Sequence, residues 1–223
     1  FIAECVQGEG GFIPQPAKYL KAIKDLCEKY GILYIADEIQ SGFCRTGKFF
    51  AIEHMGFNPD IMTIAKSMAD GMPLAATLVK SELDKVRPGQ LGGTYMGNAV
   101  ACAASCAAVD AFKSFDFCGR AVEIGNYIKS RVEKMMSKHA QIGDFRGLGA
   151  MCAMEIVEDP KTKKPGAKLL AQIIKECNKR GMLVLSCGMR GNNMRFLPPL
   201  VITDEQLAQA MDILEEACDV VLD

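Results

Sequence analysis

A chain of 223 residues holds one large domain or two small ones, and 49% hydrophobic with 24% charged residues describes a globular protein able to bury a core. With 26 basic and 27 acidic residues the net charge is −1, which argues against nucleic acid or an anionic membrane surface as a partner. No apolar run approaches the roughly 20 residues that span a bilayer, and the ten cysteines, lacking a C-x-x-C pair or a nearby histidine, read as small apolar thiols in a reducing cytoplasm with no metal bound.

Residues 1–6 predict a strand, and Gln7-Gly-Glu-Gly-Gly11 a loop whose glycines suit positive φ or close approach to a ligand, or else form a plain turn. Apolar residues at 20, 23, 27 and 30 predict a helix over 16–30 that Gly31 stops. Ile32–Ala36 reads as a strand buried on both faces and ends on Asp37 and Glu38. A long loop over 41–60 follows, with Arg45-Thr-Gly-Lys48 read as a structural turn. A strand over 61–65 then ends on Lys66, and another covers 72–79.

Leu91–Asn98 is a second glycine-rich loop, and the alanine-rich run from Ala99 to Phe112 predicts a helix. From about 117 onward the pattern is that of a smaller α/β unit. It has an amphipathic helix over 120–136, then a tight glycine turn at Gly147-x-Gly149 running into a strand that ends at 156. That glycine pair is no dinucleotide fingerprint, because a strand follows it and a third glycine is missing. A helix over 166–180 stops at Gly181, and short strands fall at 183–185 and 194–197. A capping box at Thr203-Asp-Glu-Gln206 opens a last helix that buries Leu207, Met211, Leu214 and Cys218.

In open α/β sheets ligands bind beyond the carboxyl ends of the parallel strands, so Asp37 and Lys66 can reach one pocket. An acid and an amine placed this way suit a cofactor with a basic ring nitrogen at one end and a carbonyl carbon at the other, as pyridoxal phosphate has. Taken alone, Asp37 could equally cap a helix, Lys66 be a solvated amine, and Arg195 cover apolar surface with its stem.

The stretch DEIQSGFCRTGKFFAIEHMGFNPDIMTIAKSMADGMPLAA, residues 37–76, closely resembles the signature of the class III (subgroup II) pyridoxal-phosphate aminotransferases. Glu-x-Val-Gln-Gly-Glu-Gly-Gly and Arg195-Phe-Leu-Pro-Pro-Leu200 are further stretches of that kind. Cys5 stands where the family usually has proline, and Gly97-Asn98-Ala99 where Gly-Asn-Pro is common. The resemblance implies a fold type I transferase: part of a large, mostly parallel-sheet domain over 1–98, with the strand at 72–79 antiparallel, a linking helix over 99–116 and a small C-terminal α/β domain over 117–223.

It also implies site roles. Lys66 is the expected Schiff-base lysine and proton shuttle. Asp37 pairs with the pyridine nitrogen, Ile39 packs on the ring and Gln40 bonds the ring hydroxyl. Thr94 reaches the cofactor phosphate of a neighbouring subunit in a homodimer. Arg195 binds the carboxylate of the acceptor, a 2-oxo acid such as 2-oxoglutarate. Glu9 is a carboxylate that pairs with Arg195 while an ω-amino donor reacts. Leu185-Ser-Cys-Gly-Met189 with Gly191-Asn192 is most similar to the 4-aminobutyrate branch. The ornithine and acetylornithine enzymes share the Arg-Phe-Leu-Pro-Pro-Leu run and stand next, ahead of the glutamate-1-semialdehyde aminomutases, which make little use of the carboxylate arginine. On the same resemblance the chain is expected to begin partway through the large domain, with no signal peptide. The glycine-rich phosphate turn and a ring-stacking aromatic would then precede Phe1. The 223 residues alone are expected to bind the cofactor weakly and not to turn over.

Overall fold

The computed structural model describes residues 1–223. In chain order its elements are β1 (Ile2–Glu4), β2 (Val6–Gln7), β3 (Ile13–Pro14), α1 (Ala17–Tyr30), β4 (Ile35–Asp37), β5 (Ile61–Ile64), β6 (Ala76–Val79), α2 (Ala99–Ser114), α3 (Phe117–Lys138), β7 (Ile142–Leu148), β8 (Met151–Asp159), β9 (Lys164–Pro165), α4 (Ala167–Lys179), β10 (Leu185–Cys187), β11 (Asn193–Phe196) and α5 (Asp204–Leu222). They form two compact units, one of residues 1–5 and 15–117, the other of residues 6–14 and 118–223. No helix is long and apolar enough to cross a membrane.

The first unit is built on a four-stranded sheet in the order β1-β4-β5-β6, parallel except for β6. Leu20 and Cys27 of α1 pack with Tyr34, Ala36, Ala51, Ile52 and Met55. The strand expected at 32–36 starts later, at Ile35, and includes Asp37. The helix end explains the shift. Gly31 takes the left-handed conformation and the Ile32 N–H turns back to the Cys27 carbonyl at 2.8 Å, so it is spent on the helix and cannot join the ladder. Ile32 and Leu33 are consequently exposed, and β4 is fully covered only at Ala36.

An ion-pair cluster ties this unit together. Asp60, at the start of β5, accepts from Lys24 of α1 at 2.8 Å, from Lys80 after β6 at 2.6 Å and from the Tyr34 N–H at 2.8 Å. Burial opposes ionisation of Asp60. The hydrogen bonds from Lys24, Lys80 and the Tyr34 amide outweigh it and hold the carboxyl well below the usual range.

The second unit has an antiparallel sheet in the order β10-β11-β8-β7, with β9 paired to β8. Met151, Met154, Ile156 and Met194 of the sheet are fully buried, as are Ile124 and Ile128 of α3, Leu170 and Ile173 of α4, and Leu214 of α5. Residues 6–14 group with this unit because Val6 and Phe12 are buried with Met151, Ala153 and Cys187. The glycine turn at 147–149 joins two strands, because β7 precedes it as well as β8 following it. β7 is hard to see in sequence, since Ile142-Gly-Asp-Phe-Arg-Gly-Leu148 mixes glycines and charges with few apolar residues. The turn is pressed against α3: a Cβ at Gly125 would fall 2.0 Å from the Gly149 carbonyl oxygen, so only glycine lets helix and turn meet. β10 runs two residues later than expected, leaving Leu183 almost fully exposed. α5 carries the expected capping box and buries Leu207, Met211, Leu214 and Cys218. The ten thiols are unbridged, and seven of them are buried: Cys5, Cys27, Cys44, Cys152, Cys177, Cys187 and Cys218.

Asp60→Asn should destabilise the first unit by about 3 kcal/mol at neutral pH, because Lys24 is left buried without its main counter-charge. The folded carboxyl titrates below its unfolded value, so its contribution is fully present above about pH 4 and fades as pH falls below that. Melting curves should therefore separate wild type and Asp60→Asn most at pH 7, and the gap should narrow steadily as pH falls from about 4 toward 2.

Candidate active site

The first unit places its polar groups at the carboxyl edge of two neighbouring parallel strands. Asp37 ends β4 in register with Thr63 of β5, and Lys66 follows three residues beyond Thr63. Half-buried Asp37 spends one oxygen on its own turn, where Oδ1 accepts the Ile39 N–H at 3.1 Å. Its next neighbour, Glu38, is fully buried and accepts from Ser41 Oγ at 2.5 Å, Ala51 N at 3.0 Å and Ile52 N at 2.6 Å. Burial pushes the Glu38 carboxyl up, and these three donors work against that push. Alternation along the strand thus sends the two acids to different tasks, one anchoring the 41–52 excursion and the other left at the sheet edge.

Lys66 begins a single 3-10 turn with φ of 51°, in the left-handed region that non-glycine residues seldom occupy. Its exposed side chain lines an open pocket of about 480 Å³ together with Ser67, Asp70, Gly71, Met72 and Pro73. Asp37 and Gln40 do not line that pocket, although they share its sheet edge. Gln40 is half-buried, with Oε1 enclosed and without a hydrogen-bond partner, and Thr63 Oγ1 is in the same condition. Ile39, between Glu38 and Gln40, is half-buried. Thr94 lies in the fully exposed segment 91–98 and meets none of these groups in the chain's own bonds.

The second unit carries the other predicted pair. Arg195, on β11, directs Nη1 to Glu9 Oε1 in a salt bridge. Arg195 is largely sheltered, with 19% of its side chain accessible, whereas Glu9 is 76% accessible and free to leave. Glu9 belongs to the turn between β2 and β3, and its carbonyl accepts the Gly188 N–H at 2.9 Å.

Residues 1–218 match the family model for class-III aminotransferases. The chain belongs to that family. It is 43% identical to the 4-aminobutyrate aminotransferase of Escherichia coli, an alignment that covers 98% of this chain and 51% of the relative. It is 44% identical to a 5-aminovalerate aminotransferase of Pseudomonas putida, over 96% of this chain and 51% of that one. An amine transaminase from an uncultivated Pseudomonas species, solved in its PLP-bound form, superimposes with a TM-score of 0.90 at 33% identity, covering 99% of this chain and 52% of that chain. The class-III chain described here thus spans about half the length of the curated relatives it matches, and its α/β architecture is that of the corresponding part of a PLP-dependent transferase.

Class-III aminotransferases depend on pyridoxal phosphate, and the groups at the edge of β4 and β5 fit its ring. An enclosed acceptor without a donor, Gln40 Oε1, matches a ring hydroxyl. A carboxylate oxygen without a protein partner, on Asp37, matches a protonated ring nitrogen, and an amine without a counter-ion, on Lys66, matches an aldehyde carbon. Sequence reasoning passed over Thr63. Its signal was a hydroxyl in an otherwise apolar strand, Ile61-Met-Thr-Ile-Ala65, three residues before the lysine.

Replacing Gln40 by Leu should raise the apo protein's stability by about 1 kcal/mol, since a buried acceptor without a partner is removed. The same change should weaken PLP retention at least about tenfold. Melting of the PLP-stripped protein and absorbance titration with PLP measure the two effects separately.

Proposed function

We propose that this chain carries the ring-binding and carboxylate-binding residues of a pyridoxal-phosphate aminotransferase that moves an amino group from an ω-amino acid, 4-aminobutyrate, to 2-oxoglutarate. The salt bridge between Arg195 and Glu9 is the observation that carries this reading. An ω-amino acid presents no carboxylate on its reacting carbon, whereas 2-oxoglutarate and glutamate do. An arginine reserved for that carboxylate is an unpaired cation during one half of the cycle, and an exposed, movable glutamate removes the penalty. When the acceptor enters, Glu9 swings into solvent and the guanidinium takes the carboxylate through two parallel hydrogen bonds.

PLP, when bound, supplies an aldehyde carbon and a ring that withdraws electrons from the substrate's reacting carbon. The chain's residues do the rest. Lys66 holds the aldehyde end and then carries the proton between substrate carbon and cofactor carbon. Asp37 keeps the ring nitrogen protonated, Gln40 accepts from the ring hydroxyl, and Ile39 covers the ring face. In this reading the enzyme works in the cytoplasm as a homodimer, and the exposed Thr94 serves the phosphate of the neighbouring subunit. An aminomutase is disfavoured, because it needs neither Arg195 nor its gating partner.

The test is a donor panel on the PLP-loaded enzyme containing this chain, with 2-oxoglutarate as acceptor. 4-Aminobutyrate is expected to give the highest kcat/KM among 4-aminobutyrate, 5-aminovalerate, ornithine and glutamate-1-semialdehyde, and a clear preference for ornithine would overturn the assignment. Lys66→Ala should abolish turnover together with the visible absorbance of covalently held cofactor. Arg195→Lys should lower kcat/KM for 2-oxoglutarate by about 2 kcal/mol, roughly 30-fold, while leaving PLP affinity unchanged, because one ammonium cannot reproduce the bidentate fork.

A further inference from the structure

A second arginine lies in the same cross-strand row as Arg195. Arg146 of β7 pairs with Ala153 of β8, and Ala153 pairs on its other side with Arg195 of β11. Residues paired across antiparallel strands project from one face, so the two arginines share a face about 10 Å apart, with only the Ala153 methyl between them. Val6 and Phe12, on either side of the glycine turn, pack against Ala153.

The two cations are in opposite condition. Arg146 spends four of its five donors: Nε donates to the Gly11 carbonyl at 3.1 Å, Nη1 to Asp144 at 2.8 Å and to Glu155 at 2.6 Å, and Nη2 to Asn193 Oδ1 at 2.5 Å. Arg195 has a single ion-pair partner, the exposed Glu9. Arg146 also touches both supports of that pair. Gly11 is two residues from Glu9 on the turn, and Asn193 is two residues from Arg195 on β11. The fit is close. A Cβ at Gly188, whose N–H holds the Glu9 carbonyl, would fall 2.2 Å from Asn193 Nδ2, and Gly188 itself has φ of 87°.

We propose that Arg146 is a positioning residue for the Glu9–Arg195 gate. Its fork holds the turn where Glu9 reaches Arg195, and its own charge, cancelled by Asp144 and Glu155, leaves Arg195 as the cation that an incoming carboxylate finds. The proposal rests on the roles given above to Glu9 and Arg195. It follows that loosening Arg146 opens the gate. An ω-amino donor needs the gate closed and should suffer, whereas a dicarboxylate must displace Glu9 and should bind more tightly.

Arg146→Lys keeps the charge but cannot span Gly11, Asn193 and two carboxylates at once. On the PLP-loaded enzyme, kcat/KM for 4-aminobutyrate should fall about tenfold, that for glutamate should change less than about threefold, and the Kd of glutarate, an unreactive dicarboxylate read by its effect on cofactor absorbance, should fall about threefold. In a Glu9→Gln background, Arg146→Lys should leave the donor ratio where Glu9→Gln put it. Should Arg146→Lys fail to fold, Glu155→Gln removes one anchor of Arg146 and should shift the same ratio in the same direction by about threefold. Equal losses with both donors, together with weaker glutarate binding, would mean that Arg146 only stabilises the sheet and would overturn the proposal. If Glu9→Gln moves the ratio and the Arg146 and Glu155 variants do not, the positioning role alone is overturned. If Glu9→Gln leaves the ratio unchanged, the gate reading fails and the proposal with it.

Discussion

The end of β4 depends on one buried charge. Glu38 has no accessible surface and meets three donors, two of them backbone amides more than ten residues away along the chain. A carboxylate in that position is tolerated only while all three donors are in place, and the amides of Ala51 and Ile52 are satisfied only while the carboxylate is there. This mutual requirement closes the 41–52 excursion onto the strand end and fixes the plane from which Asp37 and Gln40 project. The excursion itself is uncomfortable, with Phe43 and Cys44 both at positive φ, so a strong local tie is what keeps it in one conformation.

Polar groups with several partners recur where the chain has to hold a loop in place. Asp60 joins α1 to the two strands on either side of it in the first unit, and Arg146 joins the turn at 8–12 to the sheet in the second. In both cases one ion is surrounded on several sides and so has little freedom to exchange partners. The groups assigned to chemistry are different in kind: Asp37, Gln40, Lys66 and Arg195 each keep an atom uncommitted or a partner that can depart. A polar side chain with every bond made serves the fold, and one with a bond to spare is available to a ligand.

That distinction also separates what the sequence discloses from what it hides. The helix over 17–30 is legible because leucine and cysteine recur at helical spacing and a glycine follows, and α5 because its capping box lies next to an apolar stripe. The carboxyl edge near Lys66 is legible because two apolar runs of similar length stop on an acid and an amine. β7 is not legible, since its glycines, Gly143 and Gly147, leave room for β8, and the apolar alternation that marks a strand is lost. The late start of β4 is hidden because Ile32 and Leu33 look like strand residues while the Ile32 amide is spent on the helix before it. Arg146 is hidden for a simpler reason: apart from Asp144, its partners lie 9, 47 and 135 residues away, and no local pattern marks them.

The buried cysteines bear on what happens after the fold is lost. Burial pushes the thiols of Cys5, Cys152 and Cys218 up to about 12, and those of Cys177 and Cys187 to about 11. In the native chain they are almost entirely protonated and inert toward oxidants. On unfolding they return to the ordinary thiol value of 9.0, and the reactive thiolate fraction rises by roughly two to three orders of magnitude at once. Unfolded molecules in air are then open to random cross-linking in competition with refolding. Wherever cross-linking wins, heat inactivation becomes a one-way process, and a reducing agent would lengthen the chain's working life without altering a single native contact.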